Sequence, residues 1–332
     1  MILNEIPIKT TNGFNVNNLK INLDLPDSFK YHEYKSNIKI KYKKTNLNSL
    51  IGLDYKEALD IEIIIDKVFE KPIELIYEFK NSDSLINRIN VHYLENSKSD
   101  IIFTYKSLDQ TKQFNYIKFN IIMDKYSNGN INIINLLNNN STNIIASESN
   151  LAESSYLKQN LIDIGGNIRI YNFSSKVNSN AKSYLNNIYL GNKKNLIDMN
   201  YNYQNIGENS LTNIKVEGVL DEKATKTFRG TIDFNNSNNA SGKELENCLL
   251  LSDDAISKSV PILLCNEENV VGSHAVSTGK IDNDKLFYLM SRGFSLKDAK
   301  KLIIMANFNN IIKEISNEEL EEIVINHISK NI

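Results

Sequence analysis

The chain has 332 residues, 41% of them hydrophobic, which is enough to bury a large core as one domain or two and fits a globular chain. With 38 basic against 40 acidic residues the formal net charge is −2, so no global field recruits nucleic acid or an anionic membrane surface. The opening MILNEIPIKTTNGFNVNN turns polar too early for a secretory signal, and no apolar run is long enough to span a bilayer; a cytoplasmic protein with no nucleic-acid or membrane partner is expected.

Residues 1–85 mix polar loops with strand-like alternation at 59–65 and 72–79, which predicts a small N-terminal β-rich region. Residues 86–280 are more uniform. Short β-branched or aromatic runs recur at 101–105, 114–123, 131–137, 143–146, 168–173, 214–216 and 231–234, separated by Asn, Ser and Gly clusters that favour turns. No long amphipathic helix interrupts them, which argues for a mainly β protein rather than βαβ units. A sandwich satisfies this pattern, but a parallel β-solenoid, whose stacked coils expose little edge, suits it better, although no internal repeat is evident.

Past Ile281 the period becomes helical, giving a C-terminal helical region over 281–332. Asp282 or Asn283 caps a short helix through Leu286, Phe287, Leu289 and Met290 that ends at Gly293. Ser295 with Asp298 caps a second helix, and Ser316 with Glu319 starts a third whose face carries Leu320, Ile323, Val324 and Ile328. These faces need cover, either by capping the open end of a solenoid or by meeting a partner, and capping is the expectation.

There is no Walker-type phosphate loop, GxGxxG, HExxH or GxSxG, so no hydrolytic or hydride-transfer chemistry is expected. The cysteines, Cys248 and Cys265, are too few for a disulfide framework and remain available as thiols. With Glu267, Glu268 and His274 they form a sparse set of metal-competent residues. Cys265 lies 17 residues after Cys248, a separation that places the two thiols on adjacent rungs if it equals one coil. The packing reading stands beside the metal one. Each cysteine adjoins a leucine pair and suits a buried small hydrophobe, His274 suits a turn, and Glu267 with Glu268 suits a solvated corner. His32, His92 and His327 read as surface or packing residues.

The segment PILLCNEENVVGSHAVSTGKIDNDKLFYLMSRGFSLKDAKKLII resembles the C-terminal signature of the SufB/SufD family of iron–sulfur cluster assembly scaffolds. The resemblance rests on Pro261, Val270, His274, Ser277-Thr278-Gly279, Leu286-Phe287-Tyr288-Leu289 and Ser291-Arg292-Gly293, with upstream support from VEGVLDEKATKTFRGTIDF and the leucine run before Ala255. It is strong over about residues 210–310. It implies a right-handed parallel β-helix, and a scaffold rather than an enzyme, paired two-to-two with a SufC-type ABC ATPase that alone handles ATP and Mg. Leu286, Phe287, Tyr288, Leu289 and Arg292 are the implied ATPase contacts.

The same resemblance implies a transient iron–sulfur cluster at a dimer interface, a sulfur donor and acceptor apoproteins. His274 matches the family's interface histidine. A cysteine usual in SufD-like proteins is replaced by Gly272, the glutamate that follows the histidine in longer SufB proteins is Ala275, and their functional cysteine falls at Glu246, two residues before Cys248 on the same strand face. Cys265 in LLCNEEN, with Glu267 and Glu268, resembles short SufB-like proteins that form homodimers. The expected ligand set is therefore Cys265 and His274, with Cys248, Glu267 and Glu268 as further candidates. Two alternatives stay open: a SufD-like structural subunit that needs a separate SufB partner, and a carbohydrate-binding β-solenoid.

Overall fold

A computed structural model describes residues 1–10, 15–26, 30–47 and 55–331, with Lys56 described by its backbone alone. The strands in chain order are β1 (Ile2–Leu3), β2 (Leu19–Lys20), β3 (Lys35–Ser36), β4 (Tyr42–Leu47), β5 (Tyr55–Ile65), β6 (Ile73–Phe79), β7 (Ser84–Tyr93), β8 (Lys98–Ser107), β9 (Phe114–Met123) and β10 (Asn128–Leu136). They continue as β11 (Thr142–Leu151), β12 (Tyr156–Asp163), β13 (Ile168–Val177), β14 (Lys182–Gly191), β15 (Leu196–Asn205), β16 (Leu211–Leu220), β17 (Thr225–Phe234), β18 (Ser241–Leu250), β19 (Ile256–Cys265) and β20 (Val271–Lys280). Three helices follow: α1 (Asn283–Ser291), α2 (Leu296–Ile312) and α3 (Glu318–Lys330).

The strands form two nine-stranded sheets. The first runs β20-β18-β16-β14-β12-β10-β8-β6-β3 and the second β19-β17-β15-β13-β11-β9-β7-β5-β4. Each coil therefore contributes one strand to each sheet, and every pairing from β5 onward is parallel. This is the β-solenoid expected from the sequence, and its parallel pairing already includes β5 and β6.

The coil is longer than the spacing of the cysteines. Thr142 pairs with Ile168, 26 residues on, and Thr225 with Ile256, 31 residues on. A separation of 17 therefore spans little more than half a coil, and it sends Cys248 and Cys265 to different sheets rather than to adjacent rungs of one. Asn has a conformational part at several corners. Asn96, Asn180, Asn209 and Asn239 hold φ between 55° and 61°, a left-handed backbone that Asn tolerates better than most residues.

Alternation along each strand drives one set of side chains into the lumen between the sheets, where Ile, Leu, Phe and Tyr rows form the main core. On the outer face of the second sheet, Leu3 from the N-terminal segment packs with Ala58, Ile86, Tyr116, Ile144 and Ile170. Asn4 donates to Asp198 at 2.7 Å, and the buried Arg229 guanidinium donates to the same carboxylate and to the Val16 carbonyl, so the segment is held by polar as well as apolar contacts.

Helices α2 and α3 lie along the outer face of the first sheet instead of capping the solenoid's end. Ile134, Ile162 and Ile188 stack in register there, and Ile304, Phe308, Ile312, Val324 and Ile328 cover them. The reason is apolar area: that sheet is hydrophobic on both faces, so the helix stripes bury against its outer rows. Asp282 and Ser295 cap α1 and α2 as predicted, while Asn317 rather than Ser316 accepts from the first turn of α3. Among the described residues no helix is long and apolar enough to cross a membrane.

Candidate functional site

The last coil, β19 and β20, is where the rare residues collect. β20 pairs with β18 on one edge, no described strand pairs with the other, and all ten of its residues are exposed. Register fixes which of its side chains belong to the lumen row. Gly242, Glu244, Glu246 and Cys248 of β18 are buried, and Gly272, His274, Val276 and Thr278 stand above them on β20. On the facing sheet Lys226, Phe228, Gly230, Ile232 and Phe234 of β17 stand beneath Ser257, Ser259, Pro261, Leu263 and Cys265 of β19. Ser257 and Thr278 meet across the lumen at 3.3 Å, which confirms the facing.

Cys265 and His274 thus share the lumen row of an uncovered coil, on opposite sheets. Cys265 is a free, exposed thiol at the end of its strand, paired in register with the fully buried Phe234. Glu267 and Glu268 occupy the corner that follows, where the Glu268 N–H donates to Glu267 Oε1 at 3.2 Å. Cys248 sits one coil deeper and is buried. Desolvation pushes its thiol up, against the pull of the Lys226 charge and hydrogen bonding with Tyr189 and Ser257. A thiol so placed is a packing residue at neutral pH while the coil above stays in place.

Beneath the bare coil lies a polar layer that motif reading passes over. Lys226 Nζ donates to Glu246 Oε1 at 2.5 Å and to Ser259 Oγ at 2.9 Å, and Ser259 donates to Glu246 Oε2 at 2.7 Å. Tyr189 closes the group on Glu246 at 3.3 Å. Glu244 is different. It is 1% exposed, and among the described residues neither carboxyl oxygen has a hydrogen-bond partner. Burial, with the nearby Glu246 charge, pushes it up to about 8. The signal for this layer is in the alternation: once Cys248 faces the lumen, Glu246 and Glu244 must face it too.

Within one chain no three His, Cys, Asp or Glu side chains among the described residues come together as a metal cage. Cys265 and His274 are two donors of an incomplete set, with a soft thiol and an imidazole suited to iron–sulfur chemistry. A concavity of about 620 Å³ lies elsewhere, on the outer face of the second sheet between Lys118, Asn150, Lys176 and Gln204. It lacks thiol and imidazole donors, so chemistry rather than size locates the site. A smaller one of about 290 Å³, lined by Gly218, Cys248, Ser277 and Asn307, opens between the first sheet and α2.

The residues expected to meet a partner lie on α1, which has no buried residue. Phe287 is 75% exposed, Tyr288 is exposed with Arg292 stacked 5.3 Å from its ring centroid, and Leu286 and Leu289 are half-buried. Phe294 between the two helices and Leu296 and Leu302 on α2 are exposed apolar residues as well.

Comparison with known proteins agrees with this architecture. The family "SUF system FeS cluster assembly, SufBD core domain" matches residues 77–307. The chain is 23% identical over 253 residues to the iron–sulfur cluster assembly protein SufD of Escherichia coli, covering 74% of this chain and 58% of that protein. It is 30% identical over 127 residues to SufD of Bacillus subtilis, 38% of this chain and 29% of that protein. A SufBD family protein of Pyrococcus horikoshii is 32% identical over 158 residues, 48% of this chain and 35% of that one. The matches thus span between 29% and 58% of these relatives' own length.

Proposed function

Because the chain belongs to the SufB/SufD family of SUF-system iron–sulfur cluster assembly proteins, we propose that it is a scaffold subunit that holds a nascent cluster between two abutting open ends. The observation that carries this reading is the bare terminal coil with Cys265 and His274 on its lumen row. Two copies related by a two-fold axis through that end supply a Cys265 thiolate and a His274 imidazole each. Glu267 and Glu268 at the neighbouring corner are hard, exchangeable donors, which suits a scaffold that must release its cargo. Cys248 lies one coil down and joins the set only where Ser257 and Thr278 above it part.

In this reading the chain performs no hydrolysis. Phe287, Tyr288, Leu286, Leu289 and Arg292 of α1 dock a SufC-type ABC ATPase of the cytoplasm, whose ATP-driven closure moves the two solenoids and opens their joint. A sulfur donor and acceptor apoproteins complete the cycle. Anaerobic reconstitution of the Cys265→Ser protein with iron and sulfide tests the site: bound iron and the visible absorbance of the cluster fall at least fivefold, and undiminished loading removes Cys265 from it.

A second reading has one observation in its favour, that relatives in Escherichia coli and Bacillus subtilis carry the name SufD. Here the open end meets a different SufB chain. Co-purification with the ATPase separates the two, since a complex with this chain as its sole solenoid subunit excludes the obligate heterodimer.

A further inference from the structure

The layer beneath the mouth contains a group that folding alone does not explain. Glu244 replaces its hydration with nothing: both oxygens are buried and unpartnered among the described residues, while Glu246, two positions along, is fully bonded. A buried carboxyl with no partner is destabilising, more so if charged, and an apolar residue at this lumen position avoids that cost. The fold also makes room for it. A Cβ on the facing Gly230 would lie 2.0 Å from Glu244 Oε2, so the carboxyl occupies space left free by a glycine. Directly above Glu244, in register on the next rung and on the same face, is His274. Adjacent strands are about 4.8 Å apart, a rise that lets one ion take a carboxylate from the lower rung and an imidazole from the upper.

We infer that Glu244 and His274 form a divalent-cation site at the mouth of the solenoid, one that takes the ferrous component of the cargo before sulfur is added. The inference rests on the cluster-scaffold reading for the identity of the ion, not for the existence of the site. Hard oxygen and imidazole nitrogen suit Fe²⁺, and water fills the positions that the chain does not. The exchange is balanced: the Glu244 carboxyl releases its proton to solvent and its oxygens take the cation, with no change of oxidation state. Lys226 does not compete for the carboxylate, being committed to Glu246, Ser259 and the Lys258 carbonyl.

The test uses the full chain and Co²⁺ alone, without sulfide, titrated anaerobically and followed by the visible bands of the bound ion and by calorimetry. One ion binds per chain, and Glu244→Gln and His274→Ala each weaken it at least fivefold. Glu244→Gln keeps the shape and adds no charge, so it folds, and circular dichroism of the same samples checks this. A wild-type chain that binds no Co²⁺, or a Glu244→Gln chain within fivefold of it, overturns the inference. Since no sulfide is present, a failed cluster reconstitution leaves this result standing, and a failed Co²⁺ titration leaves the cluster reading standing.

Discussion

The two ends of the solenoid are finished in opposite ways. At the N-terminal end β3 and β4 turn antiparallel to β6 and β5, and Tyr34, Ile38, Ile40 and Tyr42 fold over the last apolar row, so the chain closes its own stack. At the C-terminal end the ladder stops at β20, whose far edge meets no described strand, and α2 and α3, which could have covered it, lie instead along the outer face of the first sheet. A bare parallel edge is a template for pairing that chains normally blunt or cover. The closed end is covered by its own chain, whereas the open end carries Cys265, His274 and, one rung down, Glu244, which has no hydrogen-bond partner among the described residues. The difference teaches that the apolar pattern decides where the fold is sealed, and that the departures from it mark the surface kept for contact.

The largest expected effect is electrostatic and belongs to the open end. Glu244 titrates near 8 in the folded chain against an ordinary 4.5, so the folded state holds the proton more tightly than the unfolded one. Its contribution is fully favourable below about pH 4.5 and is lost as pH rises through about 8. Glu244→Gln cannot titrate and escapes that loss. Urea unfolding of the two proteins should agree near pH 4 and diverge by roughly 4–5 kcal/mol by pH 9, the variant being the more stable. Equal slopes of stability against pH would mean that the mouth is wet enough to solvate the carboxylate, which would erase the contrast with the sealed end.

Next in size is a contrast between two aromatic residues on neighbouring helices. Phe308 of α2 is fully buried against the first sheet, and Phe287 of α1 is 75% exposed. Phe308→Ala should cost about 3–4 kcal/mol in thermal or urea unfolding, through lost burial and a cavity, while Phe287→Ala should stay within about 0.5 kcal/mol. The second substitution is read instead in ATPase binding, which it weakens at least tenfold if α1 is the docking helix. An equal stability cost at both positions would mean that α1 is covered by its own chain.

These contrasts also show which parts of the molecule are legible in residues alone. β9 can be read end to end because Phe114 to Met123 is one aromatic and β-branched run. β15 has no such run, and only the alternation of Ile197, Met199, Tyr201 and Tyr203 with polar residues marks it, those four being buried on the lumen face. The repeat is hidden for a similar reason. Glu95-Asn96-Ser97, Lys125-Tyr126-Ser127 and Glu153-Ser154-Ser155 make equivalent corners with φ near 60° at the middle residue, but they share only a backbone shape and a closing serine, while the middle residue changes each time. Cys265 and His274 are visible as rare residues, and their common row follows from pairing. Glu244 escapes motif reading because a lone glutamate acquires meaning only through burial and an absent partner. The capping expectation for the helices fails because one strand's alternation does not show that both faces of its sheet are apolar.

A substitution with little effect on stability gives the sharpest test of the open edge. In β20 the Val271 N–H donates to the Ala240 carbonyl, so the odd-numbered residues turn their backbone groups toward β18 and the even-numbered ones, Val276 among them, turn theirs to the free edge. Val276 is also only partly covered, at 39% exposed. Val276→Pro therefore removes a donor that no described neighbour uses, and its ring sits where the edge meets open space. Chain stability should change by less than about 1 kcal/mol, with the strain of a fixed φ as the main cost. The same substitution at Val216, two rungs below in the same row and fully buried, would break a ladder paired on both sides. If the open end pairs with another copy, Val276→Pro converts the wild-type dimer to a monomer in light scattering at matched concentration. A variant that remains dimeric would place the self-contact on another surface, since no sheet edge can continue through a proline that offers no N–H.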